Sequence, residues 1–392
     1  MSLSNGRPYL AIPGPSVMPD AVIRAMMRPA PNIYEGELHD VTASLIPDLK
    51  RVAGTQGHVA IYIGNGHAVW EAALSNVLSR GDRVLVPANG RFGLGWADMA
   101  RGLHLDVTLL DHGQEITVDP ARIQEALIAD KDHSIKAVAL VQVDTSTGIR
   151  NDIHAVRRAI DAAGHPALLM VDCIASLGCD EYRMDDWGAD VTIAASQKGL
   201  MTPPGLGFVW FNDRAAHARK TADLASRYWD WTPRANPVQY YEYFDGTAPT
   251  HHLYALRAAL DILFAEGLDN VWTRHSVLAR MVWTAVEAWG NGGQMRLNMT
   301  DPAYRSHSVT SIYLGGNDAD RLRHWCEQQT GVTLGIGLGR EPTSAWFRIG
   351  HMGHVNAHMV MGVLGAIDAG LTSLKIPHGT GALTAAAQVM AR

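Results

Sequence analysis

Lys198 sits in ASQKGLMTPPG, directly after the apolar run DVTIAA. An amine in that place emerges at the carboxyl end of a strand, where open α/β sheets put their active sites. Held in a partly desolvated site, it loses its proton more easily and can condense with an aldehyde cofactor to form an imine. Taken alone, a loop lysine is more often a solvated charge. Asp172 changes that balance, because it closes the apolar run PALLMVD and a carboxylate there needs a hydrogen-bonding or charged partner. A protonated ring nitrogen of a cofactor is one such partner. The anion keeps the ring cationic, so the ring can accept the electrons released when a substrate Cα–H bond breaks. A lone Asp after a strand is more commonly a helix cap or half of a structural ion pair. The 26 residues from Asp172 to Lys198 amount to one strand–helix–strand step, which brings the two to adjacent strand ends.

Two further groups fit the same chemistry. IYIGNGHAVWEAAL reads as a strand, a Gly-rich turn and a helix, and free backbone N–H groups at such a helix start bind phosphate. The motif is neither GxGxxG nor GxxxxGK[ST], which weakens dinucleotide and nucleoside-triphosphate readings. Arg348 lies inside the apolar WFRIG, where an unpaired guanidinium is costly. A substrate carboxylate would pair with it bidentately, and a structural salt bridge to Asp or Glu is the alternative. Among the 18 His, HMGHVNAH (His351, His354, His358) and the pair His251–His252 invite a metal hypothesis. There is no HExxH, and the Gly and Asn between those histidines break the ligand spacing, so no metal is expected.

The elements that must position these groups follow from hydrophobic patterning. From about Val59 to Trp210, strand-length apolar runs alternate with helical stretches: HVAIYI, HAVWEAALSNVL, RVLVPA, a helix, then LDVTLL. That alternation predicts a mostly parallel sheet covered by helices. AVALVQV, PALLMVD and DVTIAA lack two-residue alternation, as strands buried on both faces do. RYWDWTPRANPVQYYEYFDGTAPT, from Arg227 to Thr250, is a long aperiodic connection of the kind used for function or an interface. Leu253, Leu256, Leu260 and Leu263 then mark a helix. A second, smaller α/β unit follows, with WFRIG as a strand and a helix near MVMGVLGAIDAG. The small-residue tail GTGALTAAAQVMAR reads as a mobile end.

A length of 392 residues exceeds the ~250–300 at which single cores stop growing, so two domains are expected. The divisions are an N-terminal segment 1–17, a large domain 18–265 and a small domain 266–392. Net charge −6 without charge runs gives no footprint for nucleic acid or an anionic membrane. The start MSLSNGRPYLAIPGP is no secretory signal, and no apolar stretch reaches membrane-helix length. Cys173, Cys179 and Cys326 form no CxxC, and their odd number suits a reducing, cytoplasmic setting.

In this order the residues resemble the class V aminotransferases of pyridoxal phosphate (PLP) fold type I, within them the alanine–glyoxylate and serine–glyoxylate group. The resemblance runs through IPGPSVMP, GNGHAVWEAALSNVL, ANGRFG, DTSTG, VDCIASLG, SQKGLMTPPG, TAPTHHLYALRAAL and FRIGHMG. It implies pyridoxal 5′-phosphate as cofactor and transamination between a small amino acid (alanine, serine or aspartate) and glyoxylate or a similar 2-oxo acid. Lys198 is then the Schiff-base lysine and Asp172 the pyridinium partner. Gly66 and His67, with Asn65 beside them, hold the phosphate together with Gln197. Phe92 stacks on the ring, Thr145 lies near its phenolic oxygen and Ile174 packs beside it. Thr247 reaches the phosphate of a neighbouring subunit, which implies a homodimer with shared active sites. Arg348 binds the substrate carboxylate, with Gly14 and Tyr34 on the substrate side.

Three places depart from the family pattern. Phe244 stands where relatives have a tyrosine on the phosphate, so that contact is missing or falls to Tyr243. NIYEGEL replaces the usual segment near the substrate. The HMG after Arg348, with Tyr34, also resembles pyridoxamine–pyruvate aminotransferase. Lyases and desulfurases share the fold, yet a desulfurase needs a mobile nucleophilic cysteine, and neither Cys173 nor Cys326 looks suited. A noncatalytic scaffold would require the coincidence of Lys198, Asp172 and Arg348 to be structural.

Overall fold

The computed structural model describes residues 2–391. Seven strands form the larger sheet, in the order His58–Gly64, Gly205–Phe211, Val191–Ala195, Leu168–Asp172, Ile135–Val141, Arg83–Ala88 and Asp106–Asp111. Gly205–Phe211 runs antiparallel to both neighbours and the remaining pairs are parallel. The central runs are apolar throughout because helices cover both faces: every residue of Leu168–Asp172 and Val191–Ala195 is buried. The architecture is mixed α/β around a large, mostly parallel sheet, the class expected from the sequence.

AVALVQV does not continue as one strand. The large-sheet strand ends at Val141, and Val143–Asp144 turns back to pair with Ile149–Arg150. The break falls at Gln142, whose N–H donates to Asp172 O and whose side chain bonds Ser176 Oγ and Glu181 O. A polar residue with that many local partners leaves the ladder, and the turn that follows carries Thr145 into the site.

A second sheet has the order Tyr9–Ala11, Val332–Ile336, Trp346–Gly350, Val309–Tyr313, Arg296–Leu297. The three-residue YLA pairs in parallel with Val332–Leu334, so the start of the chain is an edge strand of this sheet. Helices Leu268–Gly290, Asp318–Thr330 and Ala357–Ser373 pack on it around Trp289, Leu322, Phe347, Leu364 and Ile367. The tail is not a mobile end but a helix, Ala382–Met390, with Ala382 and Ala386 buried. Alanines leave little apolar pattern to read, yet their small side chains let this helix approach Leu268–Gly290 closely.

The leucine helix spans Thr250–Glu266, and Leu253, Leu256, Leu260 and Leu263 are all buried. Each contributes about 1.5–3 kcal/mol relative to exposure, enough to anchor the far end of the aperiodic connection. Its near end is held differently. Arg234, wholly buried, donates to the carbonyls of Tyr228, Ile61 and Tyr243 and lies over the rings of Tyr62 and Tyr228. The guanidinium thereby fastens the connection to the strand that leads into the Asn65 turn.

Candidate active site

Asp172 and Lys198 leave neighbouring parallel strands, registered through Asp172 and Ile193, at their carboxyl ends. They line one cavity of about 300 Å³ together with Gly14, Pro15, Asn65, Gly66, His67, Trp70, Phe92, Thr145, Ile174 and Gln197. Ten of the residues predicted from sequence are therefore brought to one place.

The chain entering the cavity is fixed by its own backbone. Ile174 N–H folds back onto Asp172 Oδ1 at 2.7 Å, and Trp70 Nε1–H reaches Oδ2 at 2.7 Å. Burial nevertheless pushes the Asp172 carboxyl up to about 7, with those two hydrogen bonds opposing it. Lys198 Nζ donates to Pro13 O. Desolvation pushes its amine down to about 8, the nearby Arg348 cation acts the same way, and Asp172 opposes. Ser16 clasps this turn, its N–H on Gln197 O at 2.8 Å and its Oγ on Lys198 O at 2.7 Å. Gly14 leaves room for the amine: its φ is +98°, and a Cβ would come within 2.7 Å of Nζ.

The helix Gly66–Val77 opens into the same cavity. Asn65 caps it, Oδ1 accepting from His67 N at 3.0 Å and Ala68 N at 3.3 Å, so two of the expected free donors are engaged by the chain's own cap. Gly66 allows close approach: a Cβ there would meet Ile174 Cδ1 at 2.5 Å. Phe92 is the second residue of the next helix, Arg91–Gly102, whose first turn is held by buried Asp144, Oδ2 accepting from Phe92 N at 2.7 Å and Gly93 N at 3.2 Å.

Arg348 has no carboxylate partner among the described residues, which removes the salt-bridge alternative. Its Nε donates to Ile336 O at 2.7 Å and Nη1 to Thr145 O at 2.8 Å, and Nη2 has no partner among those residues. Burial pushes the guanidinium down to about 10. Arg348 stands behind Thr145 rather than in the cavity lining. Tyr34 is 84% exposed and Thr247 is exposed, both outside the lining. Phe244 is buried in the core, with half-buried Tyr243 beside it.

Trp70, Asp144, Pro13 and Ser16 were not assigned roles from sequence. Trp70 had a signal, lying one helical turn after Gly66, but a tryptophan in an apolar helix reads as core.

The residues present fit pyridoxal phosphate on grounds internal to the fold. Gln197 Oε1 is buried without a partner among the described residues, Gly66 keeps a helix start open, and a desolvated amine and a buried carboxyl share one cavity. Nothing similar supports a metal. Among the described residues no group of three or more His, Cys, Asp or Glu could hold one. His351 bonds Thr310 Oγ1 and His307 O, His251 bonds Arg28 O and His252 bonds Pro204 O. The three cysteines are buried, and burial pushes their thiols up, those of Cys179 and Cys326 to about 12. None resembles a mobile nucleophile. No helix among the described residues is long and apolar enough to cross a membrane.

Asp172 has a folded value of about 7, above its ordinary one. A carboxyl raised in this way contributes stability that is fully present below about pH 4 and is lost as pH rises through 7. In the cofactor-free protein, stability relative to Asp172→Asn is predicted to fall by a few kcal/mol, on the order of 1.4 per pH unit, between pH 4 and pH 7 and then level off. Urea unfolding of both proteins across that range measures it. A difference independent of pH would contradict the assignment of the raised value to Asp172.

The family model for aminotransferase class-V matches residues 53–353. A serine–glyoxylate aminotransferase of Methylorubrum extorquens is 40% identical over 97% of this chain and 95% of its own. An L-aspartate–glyoxylate aminotransferase of Paracoccus denitrificans is 36% identical, covering 96% and 94%. Among solved structures, the ureidoglycine–glyoxylate aminotransferase of Bacillus subtilis superposes with a TM-score of 0.89 at 26% identity, over the full length of both chains. With sheet, cavity and relatives in agreement over nearly the whole sequence, the chain belongs to the class V aminotransferases.

Proposed function

We propose that this aminotransferase carries pyridoxal 5′-phosphate on Lys198 and moves the amino group of a small amino acid (alanine, serine or aspartate) to glyoxylate or a similar small 2-oxo acid. The observation that carries the reading is the desolvated Lys198 amine and the buried Asp172 carboxyl in one cavity, beside the Gly66 helix start. When bound, the cofactor supplies an aldehyde for Lys198 and a ring that takes up the electrons of the substrate Cα–H bond.

The chain's own groups divide the remaining work. Lys198, lowered to about 8, has a usable fraction of free amine near neutral pH, so Nζ can take a proton from the substrate Cα and return it. The Pro13 carbonyl holds that nitrogen in place. Asp172 would set a negative charge against the ring nitrogen, Phe92 and Ile174 would hold the ring between them, and Thr145 would stand by its phenolic oxygen, all four lining the cavity. The Gly66 and His67 turn, with Asn65 and Gln197, takes the phosphate. Arg348 offers Nη2 to the substrate carboxylate while two carbonyls fix its plane, which orients the bond to be broken. The three buried free thiols suit a reducing, cytoplasmic setting.

The active unit in this reading is a homodimer, with Thr247 reaching the partner's phosphate and Tyr34 facing the partner's substrate side. Both side chains are exposed here, and Val238 at 85% and Tyr241 at 49% exposure in the same connection leave apolar surface that an interface would cover. Sedimentation at micromolar concentration is expected to give a dimer. A monomer that retains the cofactor tightly would contradict it.

For the reaction itself, mixing the loaded enzyme with each candidate donor is expected to bleach the visible band with at least one of alanine, serine and aspartate, and glyoxylate should restore it. No bleaching by any of the three, or bleaching by pyridoxamine with pyruvate alone, would overturn the assignment. Arg348→Met is predicted to keep the band and to raise the donor KM about 100-fold, the worth of about 2–3 kcal/mol for a charge-assisted pair.

A further inference from the structure

Trp70 lies on the Gly66 helix, one turn after its first residue, and its indole N–H meets Asp172 Oδ2 at 2.7 Å. The two side chains are 1% and 3% exposed. An indole N–H can only donate, and so can the Ile174 backbone N–H on the other oxygen. Both carboxyl oxygens thus face groups that stabilise the anion and gain nothing from the acid. Burial works the other way, and it is the largest influence on Asp172. A neutral Asp172 would donate to a ring nitrogen instead of holding its proton.

The indole is also fixed in place. It stacks on Trp96 at 6.1 Å with planes 14° apart, and it meets the His67 and Phe92 rings edge-on at 4.6 and 6.2 Å. Gly95 lies close beneath, where a Cβ would stand 3.4 Å from the indole. Trp96 provides an internal comparison, because its Nε1–H is buried with no hydrogen-bond partner among the described residues.

We propose that Trp70 is a positioning residue that aims the Asp172 carboxylate at the cofactor ring nitrogen and holds its negative charge there. Because Trp70 shares its helix with Gly66 and His67, it also ties the phosphate-binding turn to the ring anchor, so the cofactor's two ends are registered by one rigid element. The inference rests on pyridoxal phosphate occupying this cavity.

The test is a pH titration, from pH 5 to 10, of the visible band that the cofactor acquires on condensing with Lys198. It compares the loaded wild type with Trp70→Phe and Trp96→Phe. In Trp70→Phe the transition moves up by roughly one pH unit or more, since a ring with less positive charge leaves the lysine-derived nitrogen more basic. Cofactor retention falls roughly tenfold with it, the scale of one hydrogen bond to a charged group. Trp96→Phe, which loses only an N–H that bonds nothing among the described residues and keeps an aromatic ring against Trp70, titrates as the wild type. Equal shifts in both variants overturn the role of Trp70 while leaving the cofactor reading intact. Absence of any band in the wild type overturns the cofactor reading, and this inference with it. A measurement that needs no variant adds to these: among the indole N–H resonances of the 11 tryptophans, one is expected to shift on cofactor loading and to follow the same pH transition. If none does, Trp70 does not act on Asp172.

Discussion

An amine and a carboxyl desolvated in the same cavity, each pushed toward its neutral form by burial, are the constraint around which the rest of this structure is arranged. Inside the chain neither recovers its solvation fully. Asp172 gains an indole and a backbone N–H, and Lys198 gains a carbonyl. A cationic ring and an aldehyde answer both deficits at once, which is why the pair reads as a cofactor anchor and not as a structural ion pair. The position follows from topology, since parallel strands deliver their carboxyl ends to one edge and adjacent strands supply the two groups side by side.

Each surrounding element can be understood by what it does for that pair. The second sheet lends Arg348, clamped onto Thr145 O across the junction between the sheets. The edge strand Tyr9–Ala11 leads into Pro13 and Ser16, which hold Lys198 by its amine and its carbonyl. Buried Asp144 caps the Arg91–Gly102 helix just after Gly90, where any side chain would strike its carboxylate, and so fixes Phe92 at the cavity wall. Arg234 performs the same service for the aperiodic connection that carries Thr247.

The sequence made the buried strands legible because parallel strands covered on both faces must be apolar throughout, and it made Lys198 and Asp172 legible because polar groups at the ends of such strands are conspicuous. Three kinds of feature were not visible. YLA is too short for any period, so its place in the second sheet is decided by pairing with Val332–Leu334. The Ala382–Met390 helix has small residues where a period would show, and the tail looked mobile for that reason. Trp70 carries no decisive local sign of its role, because the partner that defines it lies 102 residues away. Tyr34 and Thr247 were reached through the family resemblance alone, and in the chain itself both are exposed and outside the cavity lining.

The central claim is that Lys198 is the residue that condenses with the cofactor, and borohydride reduction of the loaded enzyme followed by peptide mapping tests it most directly. The account predicts loss of the visible band and a single reduced pyridoxyl adduct on the peptide containing ASQKGLMTPPG, at Lys198. An adduct on another lysine, or a reduced enzyme that releases its cofactor on unfolding, would contradict it.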